Sequence, residues 1–170
     1  SKKNFFISTS VNNNTQILKC DLRNFLEDKY KKWTTIFSKN ISSDAGRVHQ
    51  IDYLNENIWI ANTAQNTLTK ISVNGEWKAN IAPFFCEDGH PINIDHNHIN
   101  AVNAFEDFLI FTAFKGFKKS IVGLVGKGKL YYFYYKNIGI HDCLIEENKF
   151  IFSDTFRFWD HKGHGSLIID

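Results

Sequence analysis

The chain has 170 residues, enough for one domain with a sizeable core. With 43% hydrophobic residues it belongs to the globular class and not the disordered one. A formal net charge of +2, with no basic run, excludes bulk attraction to nucleic acid or to an anionic membrane surface. Aromatic residues reach 15%, with 16 Phe among them, a bias that favours strands packed between sheets.

In chain order, Phe5-Phe6-Ile7-Ser8 predicts a strand, Asn12-Asn13-Asn14 a turn, and residues 16–22 a second strand. Residues 21–33 break the pattern: Leu22, Phe25, Leu26 and Trp33 share a helical face, and Asp21 is placed to cap it. A short inserted helix is expected there, followed by an outer strand over 33–38 and a loop over 40–46. Four strands come next, at 48–54, 57–63, 67–73 and 77–84, with Asn74-Gly75 as a hairpin turn between the last two. A loop carrying Pro91 leads to four more, at 98–105, 108–114, 120–125 and 129–135. A final set begins at Gly139 with two strands, passes through a His/Gly loop at 159–165, and ends with a strand over 166–169.

Within this series one phrase returns three times without a gap. It reads HQIDYLNENIWIANT from 49, NAVNAFEDFLIFTAF from 100 and HDCLIEENKFIFSDT from 141, with starts 51 and 41 residues apart. Each copy opens on a polar residue (His49, Asn100, His141) and has a buried-type residue two places on (Ile51, Val102, Cys143). Each then turns on a polar pair: Asn55-Glu56, Glu106-Asp107 or Glu147-Asn148. Apolar residues follow at matching places: Ile58, Leu109 and Phe150, then Ile60, Phe111 and Phe152. A small residue closes each set: Ala61, Thr112, Ser153. Strand, tight turn and strand make a hairpin, and repetition at this period predicts propeller blades. The expected fold is all-β, a β-propeller or partial propeller of four-stranded antiparallel blades. The strands fall in groups of three, four, four and three in a single domain over 1–170, a piece of a longer propeller or one closed by another copy of itself.

In a propeller the first strand of each blade faces the central channel. His49, His98, Asn100 and His141 are therefore expected to converge from different blades on one pocket. Strand alternation puts His98 and Asn100 on one side. Imidazoles held together suit hydrogen bonding to a small polar ligand, proton transfer near neutral pH, or a divalent metal such as Zn, Mn or Fe held by His49, His98 and His141. The competing reading is structural: polar residues that open inner strands also bond to neighbouring backbone. His161-Lys162-Gly163-His164 forms a second His-rich loop, usual for a turn. The run KLYYFYYK at 129–136 reads as an outer strand with aromatic faces, or as a stacking platform for a partner. No nucleophile elbow, P-loop or dinucleotide fingerprint occurs.

The cysteines (Cys20, Cys86, Cys143) are odd in number and form no CxxC pair, which points to unpaired thiols in a reducing, cytoplasmic setting. Cys143 occupies a core position of the repeat. No secretory leader or long apolar span is visible.

The inner-strand residues His98-Ile99-Asn100-Ala101 resemble the His-Leu-Asn-Gly-type signature of bacterial propellers in the broad NHL-repeat and gluconolactonase-like group, with Ala101 in the place of glycine. The segment IWIANTAQNTLTKIS from Ile58 to Ser72 is similar to a propeller phrase with an Asn-Thr turn between strands. The resemblance implies a propeller with a polar central pocket. It carries no reaction over, because the Glu, Asn and Asp metal set of gluconolactonase-like enzymes has no counterpart here. Three functions follow as expectations: a module binding a small polar, carbohydrate-like ligand at His49, His98, Asn100 and His141; a metal-dependent hydrolase or lyase using the same histidines; and a protein-interaction scaffold.

Overall fold

The computed structural model describes residues 4–11, 14–26, 33–41, 48–92, 96–114, 119–136, 139–147, 149–154 and 165–169. The first sheet contains β1 (Asn4–Val11), β2 (Asn14–Asp21) and β3 (Thr34–Lys39). The second contains β4 (Val48–Leu54), β5 (Asn57–Asn62), β6 (Thr67–Ser72) and β7 (Trp77–Ile81). The third contains β8 (Ile99–Phe105), β9 (Phe108–Phe114), β10 (Lys119–Gly126) and β11 (Lys129–Lys136). The fourth contains β12 (Ile140–Glu146), β13 (Lys149–Asp154) and β14 (Gly165–Ile169). Every sheet is an antiparallel meander in chain order, so the expected grouping of three, four, four and three strands is met.

The sheets stack face to face in series through three apolar layers. Ile17 and Phe37 of the first sheet pack on Ile58, Ile60 and Ile71 of the second. Trp59, Ala61 and Leu68 of the second pack on Ile99, Val102, Leu109, Phe111 and Ile121 of the third. Ile110 and Val122 of the third pack on Ile140, Cys143 and Phe152 of the fourth. This is why β5 and β9 are apolar at nearly every position. On β5, Ile58 and Ile60 face the first sheet while Trp59 and Ala61 face the third. On β9, Leu109 and Phe111 face the second sheet while Ile110 faces the fourth. A strand buried on both faces has no polar side to show. Each large buried side chain, Phe111 and Phe152 foremost, contributes about 2–3 kcal/mol of transfer free energy. Antiparallel sheets stacked through their faces, with the first strands β4, β8 and β12 set side by side, form a propeller-type array.

The turns follow local chemistry. Asn55 and Glu56 both take positive φ, 51° and 58°, as the two central residues of a right-twisted hairpin require. Gly75, at φ 87°, is needed for a second reason: a Cβ there would lie 1.5 Å from the Ile36 carbonyl oxygen of β3. Gly123 on β10 lies under the Phe111 ring, and a Cβ there would meet a ring carbon at 2.0 Å. The inserted helix is present as α1 (Leu22–Leu26); the rest of the expected stretch, residues 27–32, lies outside the described residues. Asp21 caps it, its Oδ1 accepting the Arg23 N–H at 2.9 Å. The predicted apolar face does not enter the core. Phe25 and Leu26 are exposed, and Phe25 stacks on Phe5 at 4.8 Å and meets Trp33 edge-on. No described helix is long and apolar enough to cross a membrane.

Candidate functional site

The polar residue that opens each repeat sits at a β-bulge. In the second sheet the β4–β5 register slips between Val48 and Ile51, so His49 and Gln50 share one opposing position. In the third, Ile99 and Ala101 pair with Ala113 and Thr112, leaving Asn100 as the extra residue. In the fourth, Ile140 and Asp142 pair with Asp154 and Ser153, leaving His141 as the extra residue. A bulge breaks the two-residue alternation and re-aims the side chain it carries. The repeat seen in sequence is thus also a repeat of backbone irregularity.

Two of these bulges, with the residue just before β8, bring three imidazoles together. The His49 ring lies 4.9 Å from that of His98 and 5.7 Å from that of His141, both edge to face. His98 enters from just before β8 in the left-handed region, at φ 44°, and its ring also packs on Phe114 at 4.7 Å. A non-glycine residue held at positive φ is a conformation the surrounding structure must impose. His49 is exposed, while His98 and His141 are half-buried. Burial, and then the nearby His98, hold the His141 imidazole below its ordinary basicity, with Asp142 acting in the opposite direction.

The His49 tautomer follows from one hydroxyl. Thr63 Oγ1 lies 2.7 Å from His49 Nδ1 and donates to the Ile99 carbonyl at 2.5 Å. A hydroxyl has one proton, so Oγ1 accepts from His49 Nδ1–H. The neutral ring therefore carries its lone pair on Nε2.

Asn100 has another role. It is 2% exposed, its Nδ2 donates to the Ile140 carbonyl at 3.2 Å, and its Oδ1 accepts from the Thr112 hydroxyl at 2.5 Å. The first bond joins the third sheet to the fourth, and the second ties β8 to β9 within the third sheet. The expectation that alternation sets His98 and Asn100 on one side of a strand breaks down here, because the bulge at Asn100 and the positive φ at His98 interrupt the alternation. His96 is exposed, and His90 sits in an exposed turn where its N–H donates to Asp88 Oδ1 at 3.1 Å. Asp95, His161 and His164 lie outside the described residues.

Sequence reasoning missed the side chains that join the inner strands. Gln50 Oε1 accepts the Val102 N–H at 3.0 Å, and Asp52 Oδ2 accepts the Ala104 N–H at 2.5 Å. Asn103 Nδ2 donates to the Cys143 carbonyl and lies 3.1 Å from its sulfur. The available signal was polar residues two apart inside otherwise apolar strands. Cys143 is buried as expected, and burial pushes its thiol up to about 12, so it is inert as a nucleophile. Cys20 and Cys86 are likewise unbridged.

Among the described residues no group of three or more His, Cys, Asp or Glu side chains is placed to hold a metal ion. The metal set expected at His49, His98 and His141 gains no support from that arrangement.

No family model matches the chain, and no curated protein matches it. Among solved structures, the N-terminal domain of Nup159 is similar with a TM-score of 0.45 and 10% identity, over 87% of this chain and 38% of that one. This chain thus spans well under half the length of that domain. None of these comparisons bears on the likeness to NHL-repeat and gluconolactonase-like propellers.

Proposed function

We propose that the chain is a binding module of the propeller type, taking a small polar, carbohydrate-like ligand against His49, His98 and His141. The observation that carries this reading is the convergence of three imidazoles, with ring centres 4.9 and 5.7 Å from that of His49: His49 and His141 come from bulges in the second and fourth sheets, and His98 from the residue just before β8. Asn100 leaves the ligand set, since its buried amide is taken up by the Ile140 carbonyl of the fourth sheet and the Thr112 hydroxyl of its own.

The chemistry suits hydroxyl groups. His49 Nδ1–H is held by Thr63 Oγ1, and burial lowers the basicity of His141, which favours its neutral form. A neutral imidazole has one donor and one acceptor nitrogen, the pairing that a vicinal diol returns; on His49 the donor is already given to Thr63 Oγ1.

The test is an NMR titration of the imidazole Cε1–H signals with glucose and with gluconate. Movement of the His49 and His98 signals with either sugar, abolished in His49→Ala, supports the reading. If neither sugar moves any of the three signals, the carbohydrate assignment fails.

A further inference from the structure

The third sheet ends in a long aromatic edge strand. Strand β11 (Lys129–Lys136, KLYYFYYK) has β10 as its only neighbour among the described strands. Its register with β10 runs unbroken from Lys119↔Lys136 to Gly126↔Lys129. Outer strands are normally blunted by bulges, proline or shortness, to stop other chains from pairing with them. β11 has no bulge and no proline and is not short; only its terminal lysines blunt it. It is eight residues long, straight in register and aromatic at five successive positions.

Its side chains divide into two sets. Tyr132 and Tyr135 are committed inward: the Tyr132 hydroxyl donates to the Pro83 carbonyl, and Tyr135 packs on Phe152. Tyr131, Phe133 and Tyr134 remain 45%, 53% and 57% exposed. Phe133 also walls an apolar crevice of about 220 Å³ between the third and fourth sheets, shared with Val122, Leu124, Tyr135, Phe150 and Phe152. An open backbone edge therefore runs beside an apolar recess.

The charge is as uneven as the shape. The hairpin from 119 to 136 carries four lysines (Lys119, Lys127, Lys129, Lys136) and no acidic residue, in a chain whose net charge is only +2. Lys127 is 3.5 Å from Asp107. Lys119 sits 3.9 Å over the Tyr134 ring, which places a cation on the aromatic surface itself. Lysines at both ends of β11 also rule against self-pairing. Two β11 edges meeting antiparallel in register would oppose Lys129 to Lys136, and meeting in parallel would oppose each lysine to itself. Like charges directly across a strand pair are destabilising.

We propose that the β11 edge receives an extended acidic segment of a partner protein. The segment adds a fifth strand to the third sheet and seats an apolar side chain beside Phe133. Main-chain hydrogen bonds supply the pairing, and the crevice and the flanking lysines supply selectivity. The segment that fits has carboxylates about seven residues apart, matching Lys129 and Lys136, with alternating apolar residues between them. This surface is separate from the imidazole cluster and does not depend on the ligand proposed there.

The experiment uses the whole chain and three end-capped, dye-labelled peptides: EVTVTVTE, the charge-swapped KVTVTVTK, and EVTVTVTE N-methylated at alternate residues. Binding is read by fluorescence anisotropy, and its place by amide hydrogen exchange. The expected result is slowed exchange along β11 with the acidic peptide, and binding weakened roughly tenfold by the charge swap, as opposite-charge pairs become like pairs at both ends. The N-methylated peptide is expected not to bind, because it cannot complete the ladder. Equal binding of the acidic and basic peptides overturns the charge argument, and equal binding of the N-methylated peptide overturns strand addition. Absence of binding by all three, tighter binding of an oligothymidine, or concentration-dependent protection of β11 without peptide each overturns the proposal as well.

Discussion

The inner and outer edges of the third sheet face opposite problems. Strand β8 on the inside has backbone groups that pair with no strand, yet they are taken up: Gln50 and Asp52 of the neighbouring sheet accept the Val102 and Ala104 N–H groups. Strand β11 on the outside is longer, aromatic and without a second neighbour among the described strands. The difference shows where polar side chains carry structure. On the inside, burial makes every unpaired N–H or carbonyl costly, so Gln50, Asp52, Asn100 and Asn103 bind sheet to sheet. On the outside, Tyr131, Phe133 and Tyr134 of β11 stay exposed while Tyr132 and Tyr135 pack inward.

Breaking the inner side has the largest consequence. Asn100→Ala is expected to lower unfolding free energy by about 3 kcal/mol, since it strands the Thr112 hydroxyl and the Ile140 carbonyl in a dry interface. Urea denaturation measures it, and a loss no larger than that of an exposed substitution would remove Asn100 from its joining role. Asp52→Ala comes next, at about 1.5 kcal/mol, because its carboxylate accepts both the Ala104 and Tyr53 N–H groups.

A smaller effect comes from pH. His141 has lowered basicity in the fold, so the unfolded chain holds more protons as pH falls through the ordinary histidine value of 6.5. Its contribution to stability is therefore present above that value and is lost as pH drops below it. His141→Asn is expected to flatten this part of the stability profile relative to the parent. An unchanged slope would show that other groups set it.

The smallest effect belongs to the outer edge. Phe133→Ser is expected to change unfolding free energy by no more than about 0.5 kcal/mol, as for other substitutions of exposed side chains, while weakening the acidic peptide. A loss comparable to that of Asn100→Ala would mean that Phe133 belongs to the core between the third and fourth sheets. The contrast between the two edges would then fail.

Much of the architecture was legible in the order of residues. Alternating and double-sided apolar patterns, with polar pairs such as Asn55-Glu56 between them, fixed the hairpins, the strand groups and the recurrence at 49, 100 and 141. These are local signals, set by side-chain period and turn conformation within a few residues. The gathering of His49, His98 and His141 was also legible, because inner strands begin at one end of the array. The withdrawal of Asn100 from that set was not. It depends on an extra residue in each inner strand and on a positive φ, which no hydrophobic period records. The roles of Gln50, Asp52 and Asn103 depend likewise on which strand from a distant part of the chain lies opposite. Sequence determined the sheets, whose hydrogen bonds join neighbours in the chain. Only the tertiary structure decided how polar groups between sheets are spent, because those partners meet only when the sheets stack.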